Sequence, residues 1–202
     1  MEYSLVEFSQ LNEDQIKRLA LLHHSVMHTL LSDLGLPFVW RYYQIARADP
    51  NVAGFCALST SRKVLGWAMG SPHPDRITSQ LRSPLLWFSL QMFRITLTHP
   101  IALWQLIISS VISSPRHADV RDGSIELTYI GVAADQRGKG IGETLLREFI
   151  QASRSRGYRS VVLSVKKENS AAISLYEKAG FTVIDTFSEG RYRRHRMELT
   201  LV

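Results

Sequence analysis

Cysteine is almost absent from this chain of 202 residues. Cys56 is the single cysteine, so an internal disulfide and any metal site built from several cysteines are excluded. The start, MEYSLVEF, has no basic segment followed by a long apolar run. We therefore expect no signal peptide and a cytoplasmic protein. The length favours one domain over residues 1–202.

Charged side chains are missing from Ile95 to Pro115, which raises the question of a membrane span. The pair His99-Pro100 interrupts this segment, and a spanning helix needs about 20 predominantly apolar residues. The pattern therefore predicts no membrane span. Residues 84–115 instead predict two helices, part of an apolar insertion over residues 78–120 that packs on the core or forms a homodimer contact.

Basic residues exceed acidic ones, 24 against 18, for a net charge of +6. This balance fits a nucleic acid, a lipid surface or a small phosphorylated ligand, and composition does not choose among them. Four arginines lie in the segment RYRRHR, namely Arg191, Arg193, Arg194 and Arg196. Strand alternation would divide them between two faces, so they do not form the single basic stripe of a nucleic-acid interface. Their role stays open.

Periodicity indicates that helices and strands alternate along the chain. A strand at residues 3–8, a helix capped by Asn12 or Asp14, and a helix at residues 37–48 precede a hairpin of residues 52–59 and 64–71. Residues 71–76, SPHPDR, are expected to form a loop. From residue 124 the pattern becomes strand–helix–strand–helix–strand, with residues 124–132, 143–152, 161–165, 170–178 and a final hairpin. This order predicts an α/β (α+β) protein.

The segment from Gln136 to Gly142 joins a predicted strand to a predicted helix. Its glycines allow backbone N–H groups to approach a ligand without obstruction by side chains. The following helix adds unpaired amides and the positive end of its dipole, and Arg137 and Lys139 add formal charge. The segment therefore predicts a phosphate or pyrophosphate site. Its glycine spacing matches neither the Walker P-loop nor the dinucleotide-binding fingerprint.

Two motifs resemble those of a known family. The pattern Arg137-x-x-Gly140-x-Gly142 resembles the acetyl-CoA pyrophosphate motif of the GNAT superfamily of N-acetyltransferases, and NSAAISLYEKAGF, residues 169–181, is similar to its second signature. The resemblance covers residues 124–202. It implies a GNAT-like mixed central sheet of six to seven strands flanked by helices, with the two-helix insertion between strands 3 and 4.

The resemblance also implies that acetyl-CoA is the acyl donor and that no metal takes part. The fourth strand would pair with the pantetheine arm, and a backbone N–H there would stabilise the oxyanion; this role falls to Ile130, Gly131 and Val132. Amides of the glycine loop would hold the pyrophosphate, and the residues concerned are Arg137, Gly138, Lys139, Gly140, Ile141 and Gly142. Asn169 and Ala172 would lie beside the cofactor, and the side chain of Asn169 can cap its helix.

Two side chains are candidates for proton transfer. Tyr176 matches the general acid that protonates the departing CoA thiolate, and packing in the core is the alternative. Glu126 is the leading candidate to accept the proton of the amine, and regular alternation would place it on one face with Thr128, Ile130 and Val132. Two alternatives stay open for this reaction: Glu126 pairs with an arginine, or a chain of waters accepts the proton.

The implied activity is transfer of the acetyl group to a primary amine by direct attack within a ternary complex. The acceptor, a small molecule or a peptide amine, is not identified. Several aromatic residues predict an acceptor wall or a dimer seam, namely Trp40, Tyr42, Tyr43, Trp87, Phe88 and Trp104. A non-catalytic module that binds CoA or acyl-CoA and regulates another process is the alternative, and the presence of Tyr176 and Asn169 favours the enzyme.

Overall fold

The computed structural model describes residues 2–27, 29–85, 89–91, 93, 122–189 and 192–201. Most of the predicted apolar insertion lies outside these ranges, and so do Arg191 and three of the predicted acceptor-wall residues. Within them the chain forms a mixed sheet of seven strands with helices on both faces. The predicted fold class is confirmed.

The helices and strands have the following bounds. The strands are β1 (Tyr3–Glu7), β2 (Ala53–Ser59), β3 (Val64–Ser71), β4 (Ser124–Val132), β5 (Ser160–Lys166), β6 (Thr182–Glu189) and β7 (Tyr192–Thr200). The described α-helices are α1 (Glu13–Val26), α2 (Leu30–Asp33), α3 (Leu36–Ala48), α4 (Pro74–Gln80), α5 (Ile141–Ser155) and α6 (Ser170–Lys178). Helix α4 begins inside the segment that was expected to be a loop, so that expectation is wrong from Pro74 onward.

Local signals explain where several of these elements begin. The side chain of Asn12 accepts a hydrogen bond from the backbone N–H of Gln15, and the side chain of Gln15 accepts one from the N–H of Asn12. This capping box starts α1 at one of the two predicted caps. Pro37 occupies the first turn of α3, where its missing N–H is not needed by the helix.

The strands follow the order β1-β2-β3-β4-β5-β7-β6. Neighbours are antiparallel except β4 and β5, which run parallel because α5 carries the chain back between them. Helices α1 and α3 pack on one face of the sheet around Tyr43 and Trp67. Helices α5 and α6 pack on the other face around Leu145 and Phe149. The sheet therefore separates two apolar cores.

Strands β4 and β5 separate partway along their length. They pair only over Ser124–Leu127 and Ser160–Leu163, although β4 stays paired with β3 as far as Val132. Strand β5 likewise stays paired with β7 as far as Lys166. From Thr128 and Ser164 onward, the facing edges of the two strands are therefore not paired with each other. The pairing of the sheet is therefore interrupted by a gap between β4 and β5 toward the carboxyl ends of both strands.

A β-bulge lies in β4 where this gap begins. Met69 of β3 pairs with Tyr129, but the next residue, Gly70, pairs with Leu127, so Thr128 is an extra residue. One added residue reverses the alternation of side chains beyond it. Glu126 therefore shares the α1/α3 face with Tyr129, whereas Ile130 and Val132 pack into the core under α5. The expectation that Glu126 lies on one face with Ile130 and Val132 is wrong for this reason.

Candidate functional site

The glycine loop leads from β4 into α5 with two residues in left-handed backbone conformations. Gly138 has a φ of 74° and Gly140 a φ of 79°, values that glycine adopts without the cost that a side chain adds. A Cβ atom on either residue would have no neighbour within 4 Å. The space in front of the loop is therefore open, and Gly140 serves as the N-cap of α5 without a side-chain cap.

The backbone of this loop supplies hydrogen-bond donors that no described residue accepts. The N–H groups from Gly138 to Glu143 donate to no acceptor in the described part of the chain. The first N–H groups of a helix have no partner within the helix and are satisfied by water, a cap or a ligand. Together with the positive end of the α5 dipole, they form a site suited to a phosphate or pyrophosphate.

The cations of the loop differ in how they are held. The Lys139 ammonium donates to the Asp135 carbonyl oxygen at 2.8 Å and to the Gln136 side chain at 3.2 Å. A hydrogen bond from Gln136 lowers the pKa of Asp135, and the Lys63 and Lys139 charges act in the same direction. The side chain of Arg137 is exposed, so its guanidinium is available to an anion at the loop.

Residues near the carboxyl end of β4 bring the loop and α6 together. A Cβ atom on Gly142 would lie 3.5 Å from Val132 Cγ2 and 3.8 Å from Leu175 Cδ2. The Asn169 side chain accepts a hydrogen bond from the Ala172 N–H at 3.2 Å and so caps α6. The end of β4, the start of α5 and the Leu175 side chain of α6 therefore lie together.

Tyr176 of α6 packs into the core on the α5 face. Its ring centroid lies 5.8 Å from that of Phe181, and burial raises the pKa of its hydroxyl. The phenol therefore stays protonated at neutral pH. The described residues offer its oxygen no hydrogen bond.

Glu126 is held in a bidentate ion pair with Arg196. Arg196 Nη1 and Nη2 donate to Glu126 Oε1 and Oε2 at 3.0 and 3.1 Å, and Nη1 also donates to Ser164 Oγ at 3.0 Å. The side chains of Arg196 and Glu126 are only 10% and 12% exposed. The structure thus contains the arginine partner that the sequence left open as an alternative. The carboxylate lies where β4 and β5 begin to separate.

The C-terminal arginines have different environments. Arg196 is buried, Arg194 is half-buried and Arg193 is exposed, so this part of β7 does not present one basic surface. Nothing in the sequence indicated that Arg196 would be the partner of Glu126, because 70 residues separate the two.

Aromatic and histidine side chains fill the α1/α3 face beside β4. His23 is fully buried, its Nδ1 lies 2.7 Å from Tyr43 Oη, and burial together with the neighbouring His24 lowers its pKa to about 4. His23 is therefore neutral at physiological pH. Tyr43 lies in the core rather than on an acceptor wall, and burial raises the pKa of its hydroxyl, with further contributions from Tyr129 and Tyr42.

Tyr42 lies next to this cluster, but its hydroxyl is not satisfied in the same way. The Tyr42 oxygen is buried, and a hydrogen bond with the Thr128 side chain acts on it. Burial raises its pKa well above the ordinary value, and the charges of Tyr129 and Glu126 act in the same direction while Thr128 acts against them. The sequence predicted the same role for Tyr42 and Tyr43, whereas the structure gives their hydroxyl groups different surroundings.

The described residues contain neither a candidate metal cluster nor a candidate membrane span. No group of three or more His, Cys, Asp or Glu side chains there is arranged to hold a metal ion. None of the helices within the described ranges is long and apolar enough to cross a membrane.

A sheet that opens beside a loop of unused N–H groups agrees with the comparison to protein families. The model of the acetyltransferase (GNAT) family matches residues 19–181. This match covers most of the chain, and the protein therefore belongs to the GNAT family of acetyltransferases.

Individual relatives are similar over shorter segments. Mycothiol acetyltransferase of Corynebacterium glutamicum (strain R) is 38% identical over 61 residues, which are 30% of this chain and 21% of that protein. The N-acetyltransferase YobR of Bacillus subtilis (strain 168) is 43% identical over 77 residues, 38% of this chain and 30% of that protein. The chain thus spans less than a third of the length of these curated relatives.

Solved structures are similar in fold along the whole chain. The ribosomal-protein-S18-alanine N-acetyltransferase of Escherichia coli aligns with a TM-score of 0.62 at 15% identity, over 99% of this chain and 94% of that one. An N-acetyltransferase of Staphylococcus aureus Mu50 aligns with a TM-score of 0.63 at 16% identity over both complete chains. At such identities the likeness concerns the fold alone.

Proposed function

We propose that this protein is an acetyl-CoA-dependent N-acetyltransferase that acetylates a primary amine by direct attack in a ternary complex. The observation that carries the proposal is the gap between β4 and β5, which ends beside a loop with six consecutive N–H groups that have no acceptor in the described residues. A long ligand with a pyrophosphate at one end fits this combination of an open strand edge and an anion site.

Acetyl-CoA would be held by backbone more than by side chains. The pantetheine arm would add to the free edge of β4 at Ile130, Gly131 and Val132, where β5 no longer pairs. The pyrophosphate would bind the amides from Arg137 to Gly142, and the residues between them are Gly138, Lys139, Gly140 and Ile141. The capped start of α6, with Asn169 and Ala172, would border the same ligand. We propose no metal in this site.

The two candidate side chains for proton transfer lie on opposite faces of the sheet. Tyr176 packs on the α5 face and Glu126 lies on the α1/α3 face. A molecule in the gap between β4 and β5 can be reached from both sides. The thioester sulfur would face Tyr176, and the amine would approach from the side of Glu126.

The proposed step balances in protons and bonds. The ammonium of the acceptor gives one proton to Glu126, and its nitrogen then attacks the carbonyl carbon of the thioester. The new C–N bond forms as the C–S bond breaks, and the sulfur takes a proton from Tyr176. The nitrogen loses a second proton, which restores Tyr176, so one proton is released for each acetyl group transferred. A backbone N–H of β4 would stabilise the intermediate oxyanion.

Two measurements test this function. Calorimetric titration with acetyl-CoA is expected to show micromolar binding, and absence of binding would exclude both the enzyme and a CoA-binding module. An assay of free CoA thiol with a panel of primary amines is expected to show release above the rate of thioester hydrolysis. Binding without release for every amine would favour the non-catalytic module.

A further inference from the structure

The gap between β4 and β5 has a closed end, where the two strands begin to pair. Leu127 and Leu163 are the last residues that pair before the gap, and their side chains are buried in the core under α5. A ligand that follows the free edge of β4 from the glycine loop therefore meets a continuous sheet at this pair. The closed end of the gap is defined here by Leu127 and Leu163.

A network of polar side chains lies beside the closed end on the α1/α3 face. Arg196 of β7 pairs with Ser164 of β5 and donates to its Oγ at 3.0 Å, and the same guanidinium donates to the Glu126 carboxylate of β4 at 3.0 and 3.1 Å. The network therefore links β7, β5 and β4 where the pairing of β4 with β5 ends. Both charged side chains are nearly buried, so a group that separated them would leave a charge without its partner.

The free edge of β4 matches the pantetheine arm of CoA in length. It runs over Thr128–Val132, about 16 Å at about 3.3 Å per residue. The Ala133 N–H donates to the Leu65 carbonyl oxygen of β3, and strand alternation therefore turns the backbone of Ile130 and Val132 toward the gap. The arm has the main-chain length of about four extended residues, and its amides would pair with these groups. The thioester would then lie near Thr128, next to the closed end.

We propose that Arg196 and Ser164, held together with Glu126 at the closed end of the gap, limit the acyl donor to short acyl groups, with acetyl preferred over butyryl and longer chains. This inference rests on the proposed acetyltransferase function and assigns the residues that set its donor specificity. An acyl chain continues from the thioester toward the closed end. Each added methylene meets either side chains packed at core density or charged groups that lose hydrogen bonds when an apolar chain displaces them.

Calorimetric titration with free CoA, acetyl-CoA, butyryl-CoA and hexanoyl-CoA tests this limit without an acceptor amine. Free CoA has no acyl group and therefore measures the binding of the arm and the phosphates alone. We expect the wild-type protein to bind CoA and acetyl-CoA with similar affinity. Butyryl-CoA and hexanoyl-CoA should bind at least about tenfold more weakly, the discrimination that an added methylene gives in a pocket of fixed size. Equal affinities along the series overturn the proposal.

The double replacement E126A/R196M tests the network itself. It removes both members of the ion pair, which proteins tolerate better than removal of one, and it leaves space and apolar surface at the closed end. Hexanoyl-CoA should then bind within about threefold of acetyl-CoA, because the added methylenes are removed from water without displacing a charge. Arg193→Gln, on the same strand and exposed, is the matched control and should keep the wild-type series. An unchanged series in the double variant, or an equal relaxation in Arg193→Gln, contradicts the role of the network.

Ser164→Leu tests the same position by narrowing it. The leucine adds volume on the β5 side of the network, and overpacking of a closed site is unfavourable, so acetyl-CoA should bind at least about tenfold more weakly than free CoA. Free CoA affinity near the wild-type value shows for each variant that the fold and the cofactor site are intact. Equal affinities for CoA and acetyl-CoA in Ser164→Leu overturn the proposal.

The limit on acyl length and the proposed function fail differently. A wild-type protein that binds every member of the series equally contradicts the limit and leaves the cofactor site intact. A wild-type protein that binds neither CoA nor acetyl-CoA contradicts the proposed function and, with it, this inference.

Discussion

Burial has a clear effect on the pKa of His23. It is enclosed in the core on the α1/α3 face, where it contacts the rings of Tyr43, Trp67 and Tyr129. Burial, with a contribution from the neighbouring His24, lowers its pKa and keeps the imidazole neutral. Folding therefore competes with protonation at this residue.

This competition predicts a dependence of stability on pH. The pKa of His23 is about 4 in the folded protein against 6.5 ordinarily, so the unfolded chain takes up the proton first as the pH falls. The stabilisation is fully present above pH 6.5 and is lost as the pH falls to about 4, by about 3 kcal/mol. Urea unfolding across this interval measures it.

Two variants separate the contribution of His23 to the pH dependence of stability from that of other titrating groups. His23→Gln is expected to lower stability at neutral pH but to flatten the slope between pH 6.5 and 4. His24→Gln changes the exposed neighbour and should retain most of the slope. An equal slope in wild type and His23→Gln is incompatible with the assignment.

Tyr176 can be tested by removal of its hydroxyl alone. Tyr176→Phe keeps the packing against Phe181 and removes the proposed proton donor, so kcat should fall by about a hundredfold or more. The affinity for acetyl-CoA should change little. The control is Tyr158→Phe, which alters a tyrosine packed against the same core and should leave kcat unaltered. Normal turnover in Tyr176→Phe would show that another group protonates the thiolate.

The Glu126–Arg196 pair predicts non-additive effects on stability. Arg196→Met leaves a carboxylate of only 12% exposure without its partner, which should cost about 3–5 kcal/mol. Replacement of both residues, by E126Q and R196M together, should cost less than the single change. Urea unfolding of the complete double-mutant cycle measures the coupling. Arg193→Gln, on the exposed side of β7, should change stability by less than about 0.5 kcal/mol.

At the scale of elements, helix α5 has a positive-φ glycine near each end. Gly140 precedes its first turn and Gly157 follows its last, both with a φ of 79° and with no atom within 4 Å of an added Cβ. Their backbone conformation and free space are thus the same. Only Gly140 lies beside the unused N–H groups.

The two glycines give a matched test of the anion site. Gly140→Glu should abolish binding of acetyl-CoA, because it places a carboxylate where the pyrophosphate would bind and strains the loop. Gly157→Glu should cost a similar free energy of unfolding, about 1–2 kcal/mol, and leave acetyl-CoA affinity unchanged. Calorimetric titration and urea unfolding of both variants give the comparison. Equal affinity in Gly140→Glu and wild type would falsify the loop assignment.

Most elements could be predicted from local pattern. Periodicity and caps predict β4 over residues 124–132 and α6 over residues 170–178 with the observed bounds, since these signals reside within a few neighbouring residues. The bulge at Thr128 could not be predicted in this way. It depends on the register with β3, and a regular alternation therefore put Glu126 on the same face as Ile130 and Val132.

At the scale of the whole molecule, the sheet keeps its two faces chemically distinct. The α5 face carries Tyr176 and the cofactor loop, and the α1/α3 face carries Glu126, Tyr42 and the aromatic cluster. The proposed reaction needs both, and the gap between β4 and β5 joins them. A single domain over residues 1–202 and a homodimer contact through residues 84–115 stay predictions, as does a cytoplasmic location.

The amino-acid sequence by itself determined the family, the order of elements and the glycine loop with its following helix. These depend on residue types at short spacing, which the chain displays without folding. The separation of β4 from β5, the pairing of Glu126 with Arg196 and the difference between Tyr42 and Tyr43 depend on contacts between residues far apart in the chain. Such contacts arise when register and packing are settled together, and local pattern carries no record of them.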